Sequence, residues 1–225
     1  MPGIFITGTD TEIGKTRVAC AILHTLNKNN LKTVGMKPVA SGAELLDNQL
    51  QNEDALSLIN ASSVKLSYEL VNPYVFKTAA SPHIAASIEN QRVELDKIIS
   101  CYRKIESQSD FVTVEGVGGW LAPVNETQTV ADMAKALQLP VVLVVGMRLG
   151  CLNHALLTAQ YIQQSGLNLV GWIANCIDKN FPYLEDNIST LTEGLNAPLI
   201  ARLDHDKTDF AAEYEKSISL LAKTK

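Results

Sequence analysis

The residues best equipped for chemistry lie in Gly8-Thr9-Asp10-Thr11-Glu12-Ile13-Gly14-Lys15-Thr16, directly after an apolar run at 4–7. A strand that turns into a helix offers an anion a nest of backbone N–H groups and the positive end of the helix dipole. In such a loop Lys15 reaches the terminal phosphates of a nucleotide and the Thr16 hydroxyl ligates Mg²⁺. The usual spacing, G-x-x-x-x-G-K-[ST], puts its first glycine where this chain has Thr9; the glycine sits one residue earlier, at Gly8. The stretch therefore reads as a variant phosphate-binding loop.

Lys37 precedes Pro38 near the end of a β-rich run at 33–39, which places it at the carboxyl end of a strand. With Lys15, and with Arg148 as either a third member or a solvated surface charge, it brings cations toward one point. That suits a nucleoside triphosphate plus a second anionic group. Glu115 closes the apolar run 111–114, where a carboxylate can join Thr16 in holding Mg²⁺. Asp54 is either a second carboxylate for the same ion or the N-cap of a short helix. Gly116, Gly118 and Gly119 let backbone approach a ligand closely. Asn175-Cys176-Ile177-Asp178 follows another apolar run and looks like the guanine-reading N-K-x-D without its lysine. Asn175 is the expected partner of a base edge, because an amide both donates and accepts. Cys151 lacks a supporting His/Asn arrangement, and His24, His83, His154 and His205 show no metal-ligand spacing, so these are read as structural.

The elements that must position these residues follow from periodicity. Val18, Ile22 and Leu26 recur at helical spacing after the loop and stop at the polar cluster 27–30. The segment 40–72 is the least regular: a turn at Ser41-Gly42, a short helix at 53–59 and connecting chain at 62–71, forming a surface insertion near the site. Pro73 and Pro82 punctuate a loop. Helical stripes follow at 95–105, 130–137, 151–164 and 184–195, interleaved with apolar runs at 111–114, 140–145, 169–174 and 198–203, and a last amphipathic helix closes the chain. This alternation predicts an α/β fold, the three-layer P-loop NTPase architecture, with a mostly parallel sheet and helices on both faces. Ligands bind such sheets beyond the carboxyl ends of the strands. The loop, Lys37, Glu115, Arg148 and Asn175 all fall there.

The chain has 225 residues, of which 46% are hydrophobic, enough for one substantial core and a single domain over 1–225. A net charge of −5 with scattered basic residues provides no stripe for nucleic acid or a membrane surface, so neither partner is expected. Cys20, Cys101, Cys151 and Cys176 have neither C-x-x-C nor His-Cys spacing, which points to reduced thiols. With no basic-then-apolar leader at the start, a cytoplasmic location is expected.

Across most of its length the chain resembles the dethiobiotin synthetase family, ATP-dependent carboxylases that close the ureido ring in biotin synthesis. The resemblance rests on the loop itself, displaced glycine included, and on Lys37-Pro38-Val39-Ala40-Ser41-Gly42, Asn72-Pro73-Tyr74, Ser81-Pro82-His83, Val114-Glu115-Gly116-Val117-Gly118-Gly119-Trp120 and Leu149-Gly150-Cys151-Leu152-Asn153-His154. It implies Mg²⁺, and ATP, CO₂ and 7,8-diaminononanoate as substrates, with a homodimer that binds the diamine across its interface. It further implies that Glu12, Ile13, Gly14, Lys15, Thr16 and Arg17, with Asp54, Glu115, Gly116, Gly118, Asn175 and Cys176, hold the nucleotide. Thr16, Asp54 and Glu115 would hold the metal. Thr11, Lys15 and Lys37 would be catalytic. Thr11, Lys37 and Ser41 would contact the diamine, and Gly150, Cys151 and Asn153 of a second copy its carboxylate tail. The chain departs from the family at Arg202-Leu203-Asp204-His205-Asp206, where the family places an Ile-Pro-aromatic segment beside adenine. The competing reading of the same loop is a nucleotide switch or partitioning ATPase acting on a protein partner. It calls for a second signature lysine early in the loop, where this chain has Asp10 and Glu12.

Overall fold

Runs such as Val141-Val142-Leu143-Val144-Val145 have no polar face to turn toward water, so they need cover on both sides. In the computed structural model, which describes residues 3–223, they receive it. The chain forms β1 (Gly3–Gly8), α1 (Lys15–Lys28), β2 (Thr33–Met36), β3 (Val39–Ala40), β4 (Glu44–Leu46), β5 (Gln49–Gln51), α2 (Glu53–Ala61), α3 (Tyr68–Val71) and β6 (Tyr74–Val75). It continues with α4 (Pro82–Ile88), α5 (Leu95–Glu106), β7 (Phe111–Glu115), α6 (Val130–Leu137), β8 (Val141–Gly146), α7 (Cys151–Gln164), β9 (Leu169–Asn175), α8 (Leu184–Gly194), β10 (Leu199–Leu203) and α9 (Glu215–Leu221).

Six strands make one sheet in the order β10-β9-β8-β1-β7-β2, and every neighbouring pair is parallel. Side chains alternate across it. Ile4 and Ile6 of β1, with Val142 and Val144 of β8, meet Val18, Ile22 and Leu26 of α1 and Ile218 of α9 on one face. Phe5, Val112, Val114, Val141 and Leu143 meet Ile98 and Tyr102 of α5, Met133 of α6 and Ile162 of α7 on the other. The expected three layers are present. No helix among the described residues is long and apolar enough to cross a membrane.

From β1 the chain crosses to β2 at the sheet's edge, and β7 later enters between them. From β7 it passes to β8 on the opposite side of β1 and continues to β9 and β10. Winding thus reverses about β1, which opens a crevice at the carboxyl ends of β1, β2 and β7.

Three local expectations change. The run 33–39 is broken: β2 stops at Met36, because Pro38 has no N–H for the ladder, and Val39–Ala40 pairs instead with Tyr74–Val75. The irregular segment contains the hairpin β4–β5, whose turn residues Asp47 and Asn48 have φ of 50° and 63°. Within the connecting chain lies α3, and inside the proline-punctuated loop Pro82 opens α4 at a first-turn position where its missing N–H costs nothing.

Phe5 is fully buried at the middle of the sheet and meets Trp120 edge-on, with centroids 6.4 Å apart at 77°. Phe5→Ala is expected to lower the unfolding free energy in urea by about 3–5 kcal/mol, while Phe5→Leu retains most of it. Equal, small losses from both changes would show that the site collapses without strain.

Candidate active site

The loop owes its shape to what its glycines leave room for. A Cβ at Gly8 would lie 2.7 Å from Ile13 Cδ1, so the buried Ile13 folds back into the space that a side chain there would fill. This is the physical reason for the displaced glycine: the residue that must lack a side chain is the one facing Ile13. Gly14, with φ 79°, caps α1, and a Cβ there would meet Asn175 Nδ2 at 2.2 Å. Asn175 in turn donates to the Ile13 carbonyl at 2.6 Å, tying the end of β9 to the loop.

Above the loop is a cavity of about 420 Å³, lined among others by Thr11, Glu12, Gly14, Lys15, Thr16, Arg17, Lys37, Ser41, Asp54, Glu115 and Gly118. These are most of the residues singled out from sequence. Lys15 is buried and donates to the Asp10 carbonyl at 2.7 Å. Lys37, only 3% exposed, stands between two carboxylates: its Nζ lies 2.9 Å from Asp54 Oδ2 and 2.5 Å from Glu115 Oε1. The Thr16 hydroxyl donates to the same Glu115 oxygen at 2.8 Å. Glu115 Oε2 is buried without a hydrogen-bond partner.

The other candidates lie around this centre. Gly116 backs onto Phe5. Asn175 is fully buried, and its oxygen accepts from Arg17 Nη1 at 2.9 Å, so both ends of its amide are spent on the loop and on Arg17 instead of facing a base edge. Cys176 lines a separate hollow of about 310 Å³ with Arg202, Asp204 and Lys207. Arg148 does not join the two lysines; it pairs with Asp10 at 2.5 Å, and Arg17 is the third cation at the cavity. Gly150, Cys151 and Asn153 open α7 outside the cavity, beside the fully solvated Leu149.

Residues 2–208 match the family described as an AAA domain. The ATP-dependent dethiobiotin synthetase BioD of Cellvibrio japonicus (strain Ueda107) is 46% identical over 213 residues, which is 93% of this chain and 93% of that protein. The protein of the same name from Pseudescherichia vulneris is 46% identical over 199 residues, 88% of this chain and 83% of its own. The chain belongs to the dethiobiotin synthetase family. Among solved structures, the MinC:MinD cell division protein complex of Aquifex aeolicus aligns at a TM-score of 0.59 and 13% identity, over 99% of this chain and 95% of that one. That likeness is one of fold, and the fold is that of the P-loop NTPases.

Residues that sequence reasoning passed over hold this family site in place. Asn52, not Asp54, is the N-cap of α2: its side chain accepts from the Asp54 and Ala55 N–H groups, which fixes where the Asp54 carboxylate begins. The Tyr68 hydroxyl accepts from Asn52 N and donates to Asn72, and Asn72 Nδ2 donates to the Lys37 carbonyl at 2.6 Å. One chain of hydrogen bonds thus joins the backbones of Asp54 and Lys37. Asn followed by Glu-Asp before an apolar repeat was a readable cap signal; the Tyr68 and Asn72 links had none.

The electrostatics follow from the burial. Lys37 loses hydration, which alone would lower its pKa, but the Glu115 and Asp54 carboxylates outweigh that and hold it above the usual lysine value. Burial would raise the Asp54 pKa; the nearby Lys37 ammonium, the Thr16 hydroxyl and Lys15 bring it below the usual carboxylate value. For Lys15 the balance falls the other way: burial, then repulsion from Lys37, outweigh the Glu115, Asp54 and Asp10 carboxylates and pull it down to about 8. For a divalent cation the donors fit: a hydroxyl and two carboxylates, one of them with an unpartnered buried oxygen, are hard ligands of the kind Mg²⁺ takes beside phosphate oxygens.

With a free-protein pKa of about 8, Lys15 is partly neutral at pH 8, and an anion on the loop restores the full charge. Binding of sulfate, which has no ionisation of its own in this range, is therefore expected to take up protons near pH 8 and far fewer near pH 6.5, where the ammonium form already prevails. Calorimetry in two buffers of different ionisation enthalpy reads this directly; identical heats at pH 8 would mean that Lys15 is already protonated.

Proposed function

We propose that the protein is an ATP-dependent dethiobiotin synthetase, a cyclo-ligase of biotin biosynthesis. It joins CO₂ to the two amines of 7,8-diaminononanoate and closes the ureido ring, with ATP going to ADP and phosphate. The observation that carries this reading is Lys37: a second lysine, buried at the carboxyl end of β2, shares one cavity with the loop lysine Lys15. Nucleotide binding alone calls for only the loop lysine. The family membership and the names of its 46%-identical relatives support the same activity. The switch or partitioning ATPase is not favoured, since the MinD likeness extends to fold alone.

In this reaction one amine adds to CO₂ and loses a proton, giving a carbamate. A carbamate oxygen attacks the γ-phosphorus and displaces ADP. The second amine then adds to the carbamoyl carbon of the mixed anhydride, loses its proton and expels phosphate. Negative charge gathers between the carbamate and the γ-phosphoryl group, and Lys15 and Lys37, both lining the cavity, offset it. The loop from Glu12 to Arg17 cradles the phosphates. Thr11 and Ser41, both at the cavity, face the diamine end. Thr16, Asp54 and Glu115 would hold Mg²⁺, which when bound screens phosphate charge.

The working unit in this reading is a cytoplasmic homodimer of a single domain spanning 1–225. Leu156, Leu157 and Tyr161 on α7 are 40%, 50% and 48% exposed, and Leu149 just before it is 92% exposed, an apolar strip that asks for cover. A second copy laid on it would carry its own Gly150, Cys151 and Asn153 to the carboxylate end of the diamine.

Phosphate release from Mg-ATP is expected to depend on both 7,8-diaminononanoate and bicarbonate; release that ignores the diamine would sink the ligase reading. Lys37→Gln is expected to leave ATP affinity within a few-fold and to lower turnover by roughly a hundredfold or more, as when a transition-state charge partner is lost. An unchanged rate would remove Lys37 from the chemistry.

A further inference from the structure

Asp10 is an awkward residue for a loop that receives a polyanion. Its own carbonyl accepts from Lys15 Nζ at 2.7 Å, so any charge on its side chain is carried close to the cation meant for phosphate. Lys15 has no carboxylate within ion-pair distance among the described residues. Left free, the Asp10 carboxylate would be well placed to capture it. Yet neither of its oxygens is spent that way. Thr11, Glu12, Gly14 and Lys15 line the cavity, and Asp10 does not. Asp10 Oδ1 accepts from Thr11 N at 2.8 Å, and Oδ2 takes Arg148 Nη2 at 2.5 Å.

Arg148 is set beside the loop by the strand it follows. β8 lies next to β1, and Thr9 N donates to the Val144 carbonyl at 3.1 Å, so the two strand ends advance together. Past β8, Met147 N donates to the Asn175 carbonyl at 2.8 Å, and the Arg148 carbonyl accepts from Cys151 N at 3.0 Å as α7 begins. The backbone is thus held on both sides of Arg148, and its guanidinium is delivered to Asp10. The two side chains are 42% and 45% exposed, so the pair contributes little to folding stability. Its effect is on where a negative charge points.

We propose that Arg148 is a positioning residue acting through Asp10: it draws the Asp10 carboxylate away from the phosphate loop and cancels its charge, which keeps Lys15 open to an incoming polyphosphate. The proposal rests on the reading of the loop as the seat of the ATP phosphates. It gives a reason for an acidic residue where anions bind. Asp10 braces the loop by accepting from Thr11 N, and Arg148 offsets the charge that comes with the brace. Without Arg148 the freed carboxylate would pair with the buried Lys15 and compete with ligand from inside the loop. An amide at position 10 keeps the brace and removes the competition, since asparagine offers the same accepting oxygen without charge.

The test is a calorimetric titration with Mg-ATP and, separately, with Mg-tripolyphosphate of the wild type, Arg148→Gln, Asp10→Asn and the double variant Asp10→Asn/Arg148→Gln. Arg148→Gln is expected to bind both ligands roughly tenfold more weakly, because the competing carboxylate acts on phosphate whatever is attached to it. Asp10→Asn alone is expected to bind at least as tightly as the wild type, since Arg148 then adds its charge to the site. The double variant is expected to return to within about threefold of the wild type, although it lacks the ion pair entirely. Rescue of that kind separates a charge effect from a structural one: an Arg148 that merely shaped the loop or the start of α7 would leave the double variant as weak as Arg148→Gln. That result would overturn the proposal, and so would an unchanged affinity in Arg148→Gln or a weakened one in Asp10→Asn. A wild type that binds neither ligand would overturn the phosphate-loop reading itself, a result distinct from these.

Discussion

Two carboxylates that meet inside a protein need a cation between them, and in this molecule Lys37 supplies it. Glu115 is 1% exposed and Lys37 3%, so their contact lies where water cannot screen it, while Asp54 joins from the half-open side. Taking such charges out of water is costly unless each keeps its partner. The surrounding structure meets that condition from three directions: β2 delivers Lys37, β7 delivers Glu115, and the start of α2 delivers Asp54. The hydrogen-bond chain through Asn52, Tyr68 and Asn72 then keeps the first and third of these backbones in register. Lys15 is left as the less satisfied cation, facing the cavity. The contrast between a lysine held by carboxylates and one held by little gives the cavity its appetite for anions.

The phosphate loop is shaped by a different constraint, close packing. Ile13 occupies the volume that a side chain at Gly8 would take, and Asn175 holds the Ile13 carbonyl from below. The loop is therefore braced by an aliphatic side chain and an amide before any ligand arrives. Preorganisation of this kind spares a bound phosphate the cost of ordering the backbone.

How much of this was readable in the sequence depends on whether the signal was local. The strands of the main sheet were, since apolar runs such as 141–145 have few other fates, though β2 was read three residues too long. The β4–β5 hairpin was not: Glu44–Leu46 and Gln49–Gln51 have no β-branched residue, and the turn is marked only by Asp47-Asn48. Lys15, Thr16, Lys37 and Glu115 were visible because each stands at a strand end or in a motif. Arg148 was open between a third cation and a solvated charge, and it pairs with Asp10; nothing in the spacing of two residues 138 apart foretells that contact. The grip of Arg17 on Lys207 spans 190 residues and is equally silent. Side-chain partners drawn from distant segments leave no period to read.

The placement of β7 has a consequence for how the molecule comes into being. β1 and β2 follow one another in sequence but never touch as strands; β7, made some eighty residues after β2, is the wedge that joins them. A nascent chain emerging from the ribosome holds both lysines of the cavity long before Glu115 exists. Until then β1 lacks both of its neighbours, and Lys37 lacks its buried counter-ion. Closing such distant pairings is the slow part of building a parallel sheet. The joining of β1 to β2 and the buried pairing of Lys37 with Glu115 therefore both wait on the same late strand.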